Sequence, residues 1–186
     1  MGAVLFHFAS TGGKALYLGT GFGSSAYWIY HEHGFRSIAP ESGEMAYYVD
    51  TDEASFEDRY YRQERRVSVR AFDWRDWAAF TALTMQSNGS FVRLVLFSMY
   101  GRHSMESIFL SLMKISKTKD WTKVRSLETE DGVVAGMAFT LPDQRFPGIA
   151  HADAFLHPAY EANAEELVGS APDVDAPIQA YIPAND

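Results

Sequence analysis

No cysteine occurs among the 186 residues, so the chain has no disulfide framework, no thiolate metal ligand and no cysteine nucleophile, a composition that suits a reducing cytoplasm. Long apolar runs are missing too. The richest, Phe91 to Tyr100, is broken by Arg93 and falls short of the roughly 18 residues that a membrane span needs. No basic leader precedes the first apolar residues, which argues against a secretory signal, and Phe6 stands where a myristoylation motif needs Ser or Thr. Positive charge is scarce. Sixteen Lys and Arg against 24 Asp and Glu give a net charge of −8, which argues against a nucleic-acid-binding surface.

What is present suits a folded α+β protein. Hydrophobic residues make up 47% of the chain, aromatics 15% and charged residues 22%, enough to build a core in one domain or two small ones. Charge is unevenly spread. Arg59, Arg62, Arg65, Arg66, Arg70 and Arg75 cluster mid-chain, while residues 160–186 carry six carboxylates and no Lys or Arg; a solvated linker and a solvated tail account for both.

Along the chain, Ala3 to Ser10 reads as a helix closed by Gly12-Gly13, and Lys14 to Gly19 as a strand. Ser24 or Ser25 caps a helix that places Ala26, Ile29, Tyr30 and His33 on one face and ends at Gly34. Two strands follow, Phe35 to Ala39 and Glu44 to Val49, around a Pro40-Glu41-Ser42-Gly43 turn. Residues 51–66 read as a linker with a turn or more of helix. Beyond it come a strand, Val67 to Ala71, and a helix capped by Asp73 with Trp74, Trp77 and Phe80 as its buried face. After an Asn88-Gly89 turn, a helical region places Met105, Ile108, Phe109, Leu112 and Met113 in a core stripe. Val124 to Glu128, Val133 to Leu141 and Ile149 to His157 then read as three antiparallel strands joined by hairpins. A helix from Ala162 to Val168 and a strand from Ile178 to Ile182 complete the chain, and Asn185-Asp186 suits the N-cap of a following helix.

Period-2 alternation in the third of these strands sends His151, Asp153, Phe155 and His157 to one face and Ala150, Ala152, Ala154 and Leu156 to the other. The second face is small and apolar. The first reads either as a half-exposed polar surface or as a place for a proton acceptor. Other constellations carry less. His31 and His33 splay about 200° apart on a helix, Asp50 to Asp58 lacks the glycine and final glutamate of a calcium loop, and Ser98, Ser104 and His103 have no nucleophile elbow. No metal site is expected. Thr20 to Ser25 is glycine-rich, yet no G-K-[ST] follows, so it is not a P-loop.

The succession of elements resembles the GNAT superfamily of acyl-CoA-dependent N-acyltransferases: strand, two helices, three antiparallel strands, helix, strand, helix, strand. Lys-Ala-Leu-Tyr-Leu-Gly-Thr from Lys14, followed by Ala26, Tyr30, Gly34 and Phe35 at A-x-x-x-Y-x-x-x-G-F spacing, is similar to the family's carboxyl-terminal half. Residues 67–158, ending in Leu156-His157-Pro158, are similar to its amino-terminal half. The expected organisation is a carboxyl-half-like segment at 1–50, the linker 51–66 and an amino-half-like segment at 67–186. The halves stand in rearranged order, which fits a permuted domain, a domain-swapped homodimer or the middle of a longer tandem protein.

The resemblance implies a mixed central sheet flanked by helices, acetyl-CoA as co-substrate and a small-molecule or peptide amine as acceptor, in the cytoplasm, with neither nucleic acid nor membrane as partner. It assigns Tyr30 as general acid to the departing thiolate and Asp153 or His151 as proton acceptor, and it gives the Leu156 backbone to the pantetheine arm. Gly2, Ala3 and Ser25 are the remaining cofactor-binding candidates. The chain departs from the family after Pro158, where no glycine occurs up to Glu166 and Glu161, Glu165 and Glu166 stand in place of the phosphate loop. Repulsion would oppose a pyrophosphate there. A non-catalytic binding or interaction module is therefore the alternative.

Overall fold

A computed structural model describes residues 1–88, 91–117, 123–143, 146–170 and 177–180. The chain divides into two compact units, Met1–Tyr60 and Tyr61–Asp186.

In the first unit, helix α1 (Gly2–Ser10) stops before Gly12, whose φ of +89° is the left-handed conformation expected of a glycine closing a helix. Strand β1 (Ala15–Gly19) follows, then α2 (Ser25–Glu32), then β2 (Arg36–Ser37) and β3 (Glu44–Tyr48). The sheet is antiparallel in the order β1-β3-β2. Ser24 caps α2, its Oγ accepting the Tyr27 N–H at 3.1 Å, and Gly34 with φ +95° turns the chain into β2. Leu5, Tyr27, Phe35 and Met45 form the core. Gly43 lies so close to the Thr20 carbonyl that a Cβ there would overlap it, which explains glycine in that turn. Residues 53–60 of the expected linker form a helix, α3 (Glu53–Tyr60), whose Phe56 and Glu57 are buried.

The second unit is built on a five-stranded sheet ordered β10-β9-β8-β7-β4. Its elements are β4 (Val67–Ala71), α4 (Asp76–Thr84), a small hairpin of β5 (Val92–Leu94) and β6 (Met99–Tyr100), and α5 (Glu106–Ser116). Then come β7 (Lys123–Thr129), β8 (Val134–Pro142), β9 (Ala150–Leu156), a 3-10 helix (Pro158–Asn163), α6 (Ala164–Gly169) and β10 (Ile178–Ala180). β4, β7, β8 and β9 pair antiparallel, and β10 joins β9 in parallel through Ile178–Ala150 and Ala180–Ala152. Asp76 of α4 hydrogen-bonds Ser126, while Leu167 of α6 packs with Leu127. Adjacent strand residues point to opposite faces, so α4 and α6 cover opposite sides of the sheet. Phe80 and Phe109 join α4 to α5, with ring centroids 5.9 Å apart.

Three expectations are corrected. Trp74 and Trp77 are 53% and 41% exposed, and only Phe80 of the expected buried face is enclosed. The reason lies in the start of α4. The Asp73 carboxylate accepts the Arg75 N–H at 2.8 Å, and Asp76 accepts the Asp73 N–H at 3.0 Å, so residues 73–75, Trp74 among them, form a turn and the helix opens at Asp76; its buried residues are Asp76, Phe80, Thr81, Leu83 and Thr84, which leaves Trp77 off the buried side. The region after residue 88 is not helical throughout, because the β5–β6 hairpin precedes α5. Third, the helix expected from Ala162 begins as the 3-10 helix at Pro158 and becomes α only at Ala164. The helix expected within the linker is α3. Gly89, residues 181–182 of the last strand and Asn185-Asp186 lie outside the described residues. Among the described residues no helix is long and apolar enough to cross a membrane.

Candidate active site

In the second unit the sheet pairing decides where the polar side chains of β9 point. Register with β8 sets His151 opposite Leu141, Asp153 opposite Phe139 and Phe155 opposite Met137. This is the side covered by the β5–β6 hairpin. Phe97 in the hairpin's turn packs on Phe139 at 5.3 Å, and the Arg93 guanidinium lies 4.9 Å from the Phe155 ring centre. The polar face of β9 is therefore interior, not a half-exposed surface.

Asp153 sits beneath that turn. One carboxylate oxygen accepts the Leu96 N–H at 2.9 Å and the other accepts the Ala154 N–H at 2.9 Å. Burial pushes its carboxyl above the ordinary aspartate value, outweighing the backbone N–H groups of Leu96, Ala154 and Val95 that favour the anion. Such a group is oriented, partly desolvated and ready to take a proton.

His151 is 7% exposed. Its Nε2 is hydrogen-bonded to the carboxylate of Asp143, a residue just past the end of β8 that is itself enclosed. Asp143 was not among the expected site residues. The pairing crosses the β8–β9 connection, and the sequence signal that would have found it is the hairpin register that puts Pro142 opposite Ala150. Leu156 is half-buried opposite Gly136 and packs in the core shared with Leu127 and Leu167. Within the described residues β10 pairs with β9 at Ala150–Ala152 and leaves Leu156 to the β8 side.

Tyr30 belongs to the first unit, on α2, with its ring edge-on to Phe35 at 5.6 Å. Its backbone carbonyl accepts the N–H groups of His33 and Phe35 at 3.0 and 3.1 Å, so the residue forms the closing turn of the helix. Ser24, not Ser25, supplies the cap side chain. Gly2 and Ala3 are exposed in the first turn of α1, and a Cβ on Gly2 would meet open space. The structure thus brings Asp153 and His151 onto one face of β9, and places Tyr30, Gly2, Ala3 and Ser25 in the other unit. No group of three metal-ligating side chains occurs among the described residues.

No family model matches the chain, and no curated protein does. Solved structures resemble part of it. One is a GNAT superfamily phosphinothricin acetyltransferase from Sinorhizobium meliloti in complex with acetyl-CoA, at 15% identity and TM-score 0.43, over 56% of this chain and 57% of that one. A GNAT-family acetyltransferase from Streptococcus pneumoniae is similar at 18% identity and TM-score 0.43, over 55% and 62% of the two chains. A GCN5-related N-acetyltransferase from Kribbella flavida reaches 22% identity and TM-score 0.35, over 56% and 59%. This chain spans less than two thirds of the length of each. At these values the likeness assigns neither family nor activity.

Proposed function

We propose that the chain is a GNAT-type N-acetyltransferase that moves the acetyl group of acetyl-CoA to a small-molecule or peptide amine. The observation that carries the reading is the sheet of the second unit, in which strand, helices, three antiparallel strands, helix and a parallel edge strand follow in the order of the family's amino-terminal half. The first unit, with helix, strand, helix and two closing strands, follows the order of its carboxyl-terminal half.

In the reaction the amine nitrogen attacks the thioester carbonyl, the tetrahedral oxyanion collapses, and the carbon–sulfur bond breaks. Asp153 accepts the proton released by the attacking amine, directly or through water, and Tyr30 protonates the departing thiolate. His151, held by Asp143, is the second candidate for the acceptor role. Leu156 offers its backbone to the pantetheine arm, and Gly2, Ala3 and Ser25 are the residues of the first unit offered to the cofactor. Tyr30 and Asp153 must meet at one thioester, supplied by one chain or by two copies in a homodimer.

A second reading, a GNAT-derived interaction module without catalysis, is favoured by one observation: the segment from Pro158 to Glu166 has no glycine, and Glu161, Glu165 and Glu166 are exposed there. Calorimetric titration with acetyl-CoA, with light scattering on the same sample, separates the two. Saturable micromolar binding supports the transferase and defines the number of chains per complex. Absence of binding overturns it in favour of the module.

A further inference from the structure

The contact between Asp143 and His151 is fixed from both ends. Asp143 follows directly on β8, and its N–H donates to the Ile149 carbonyl at 2.9 Å, which ties it across the β8–β9 connection. Its carboxylate is divided between two donors. Oδ1 accepts the Phe146 N–H at 2.9 Å, and Oδ2 meets Nε2 of His151. On the other side, the pairing of β9 with β8 holds His151 opposite Leu141. The His151 and Asp143 side chains are only 9% and 8% exposed, so water competes little for the contact. An ionised carboxylate accepts hydrogen bonds and donates none, and a neutral imidazole carries a proton on one nitrogen and a lone pair on the other. The bond to Asp143 therefore requires the proton on Nε2 and puts the lone pair on Nδ1.

We propose that Asp143 is a positioning residue that holds His151 in the Nε2–H tautomer, so that Nδ1 takes a proton from the ammonium form of the acceptor amine before attack. The proposal rests on the transferase reading above and deepens it by completing its proton balance. An ammonium nitrogen that becomes an amide gives up two protons, the first to expose its electron pair and the second as the carbon–nitrogen bond forms. Two acceptors on one face of β9 answer that requirement. His151 takes the first proton, and Asp153, two residues on and oriented by the Leu96 N–H, takes the second. As the carbon–sulfur bond breaks, the thiolate receives one proton from Tyr30, whose hydroxyl is restored from these two, and the remaining proton leaves to solvent.

The test is nitrogen-15 NMR of the imidazole nitrogens in the full chain, recorded with the ring neutral, the His151 signals being identified by their loss in His151→Gln. The parent is expected to show a protonated Nε2 and an unprotonated Nδ1. In Asp143→Asn the carboxamide oxygen stays on the Phe146 N–H, which turns the amide NH2 toward the ring, so the tautomer inverts. With that inversion kcat is expected to fall about a hundredfold while the Kd for acetyl-CoA is unchanged. Asp143→Ala, which imposes neither tautomer, is expected to show both. A ring protonated on Nδ1 in the parent, a tautomer unchanged in Asp143→Asn, or an inverted tautomer with unaltered kcat would overturn the proposal. Failure of the parent to bind acetyl-CoA, with the ring signals as expected, would overturn the transferase reading and leave Asp143 as the residue that sets the tautomer. The parent spectrum decides that assignment even where a thermal melt shows that a substitution unfolds the chain.

Discussion

Replacing Tyr30 by Phe deletes a single hydroxyl and leaves the contact with Phe35 in place. If that hydroxyl protonates the thiolate, kcat falls by about a hundredfold or more while the Kd for acetyl-CoA is unchanged; steady-state kinetics beside calorimetry would reveal it, and unaltered turnover would remove Tyr30 from the mechanism. For Asp153 the sign follows from burial. A base must be deprotonated, and its carboxyl titrates above the ordinary aspartate range, so kcat/KM should drop as pH falls through that raised value. Asp153→Asn should abolish that limb of the profile together with most of the activity. That Asp153 shares a face of β9 with His151 was legible in the sequence because strand alternation places it without any knowledge of its neighbours. Asp143 was not, since its partner across the hairpin is fixed only by register, which a strand pattern leaves open.

At the scale of elements, α4 is tied to the sheet by charge as much as by packing. Arg70 donates to both oxygens of Asp76, at 2.8 and 2.6 Å, and to both of Glu128, at 2.8 and 2.9 Å, while Ser126 donates to Asp76 at 2.9 Å. Asp76 has no exposed surface, so removing its cation leaves a buried charge uncompensated. Arg70→Ala is expected to cost about 3 kcal/mol, measured by urea unfolding. Arg70 holds the Glu128 carboxyl below its ordinary value; the stability this contributes is present above the ordinary glutamate range and lost as pH falls through the lowered value. Stability measured against pH should accordingly fall less steeply on the acid side in Glu128→Gln. Packing of α6 gives a second test. A Cβ at Gly136 would stand 2.9 Å from the Leu156 Cβ and 3.0 Å from a Leu167 methyl, so Gly136→Ala should destabilise by about 1–3 kcal/mol. The three-strand meander and the stripe of α5 were legible because their periodicities are strong. The start of α4 was misread because local acceptors, Asp73 and Asp76, can close a turn as readily as they cap a helix, and its buried side runs through Asp76, Phe80 and Leu83, away from Trp77.

For the whole molecule, the order of helices and strands was legible from local periodicity, while their pairing was not. The parallel pairing of β10 with β9 is a tertiary feature that apolar runs could only suggest. Chain stoichiometry follows from the proposed chemistry: light scattering should report two chains per particle if Tyr30 and Asp153 are supplied by different copies, whereas a monomer with transferase activity would require both from one chain. β8 has a consequence of another kind. It is hydrogen-bonded on both edges, and its residues from Val134 to Leu141 are all buried. Amides so enclosed trade their hydrogens for deuterium only when the surrounding unit opens as a whole. The slowest-exchanging peptide in a mass-spectrometric time course should therefore come from this strand, and its rate would serve as an internal clock for the opening of the entire second unit.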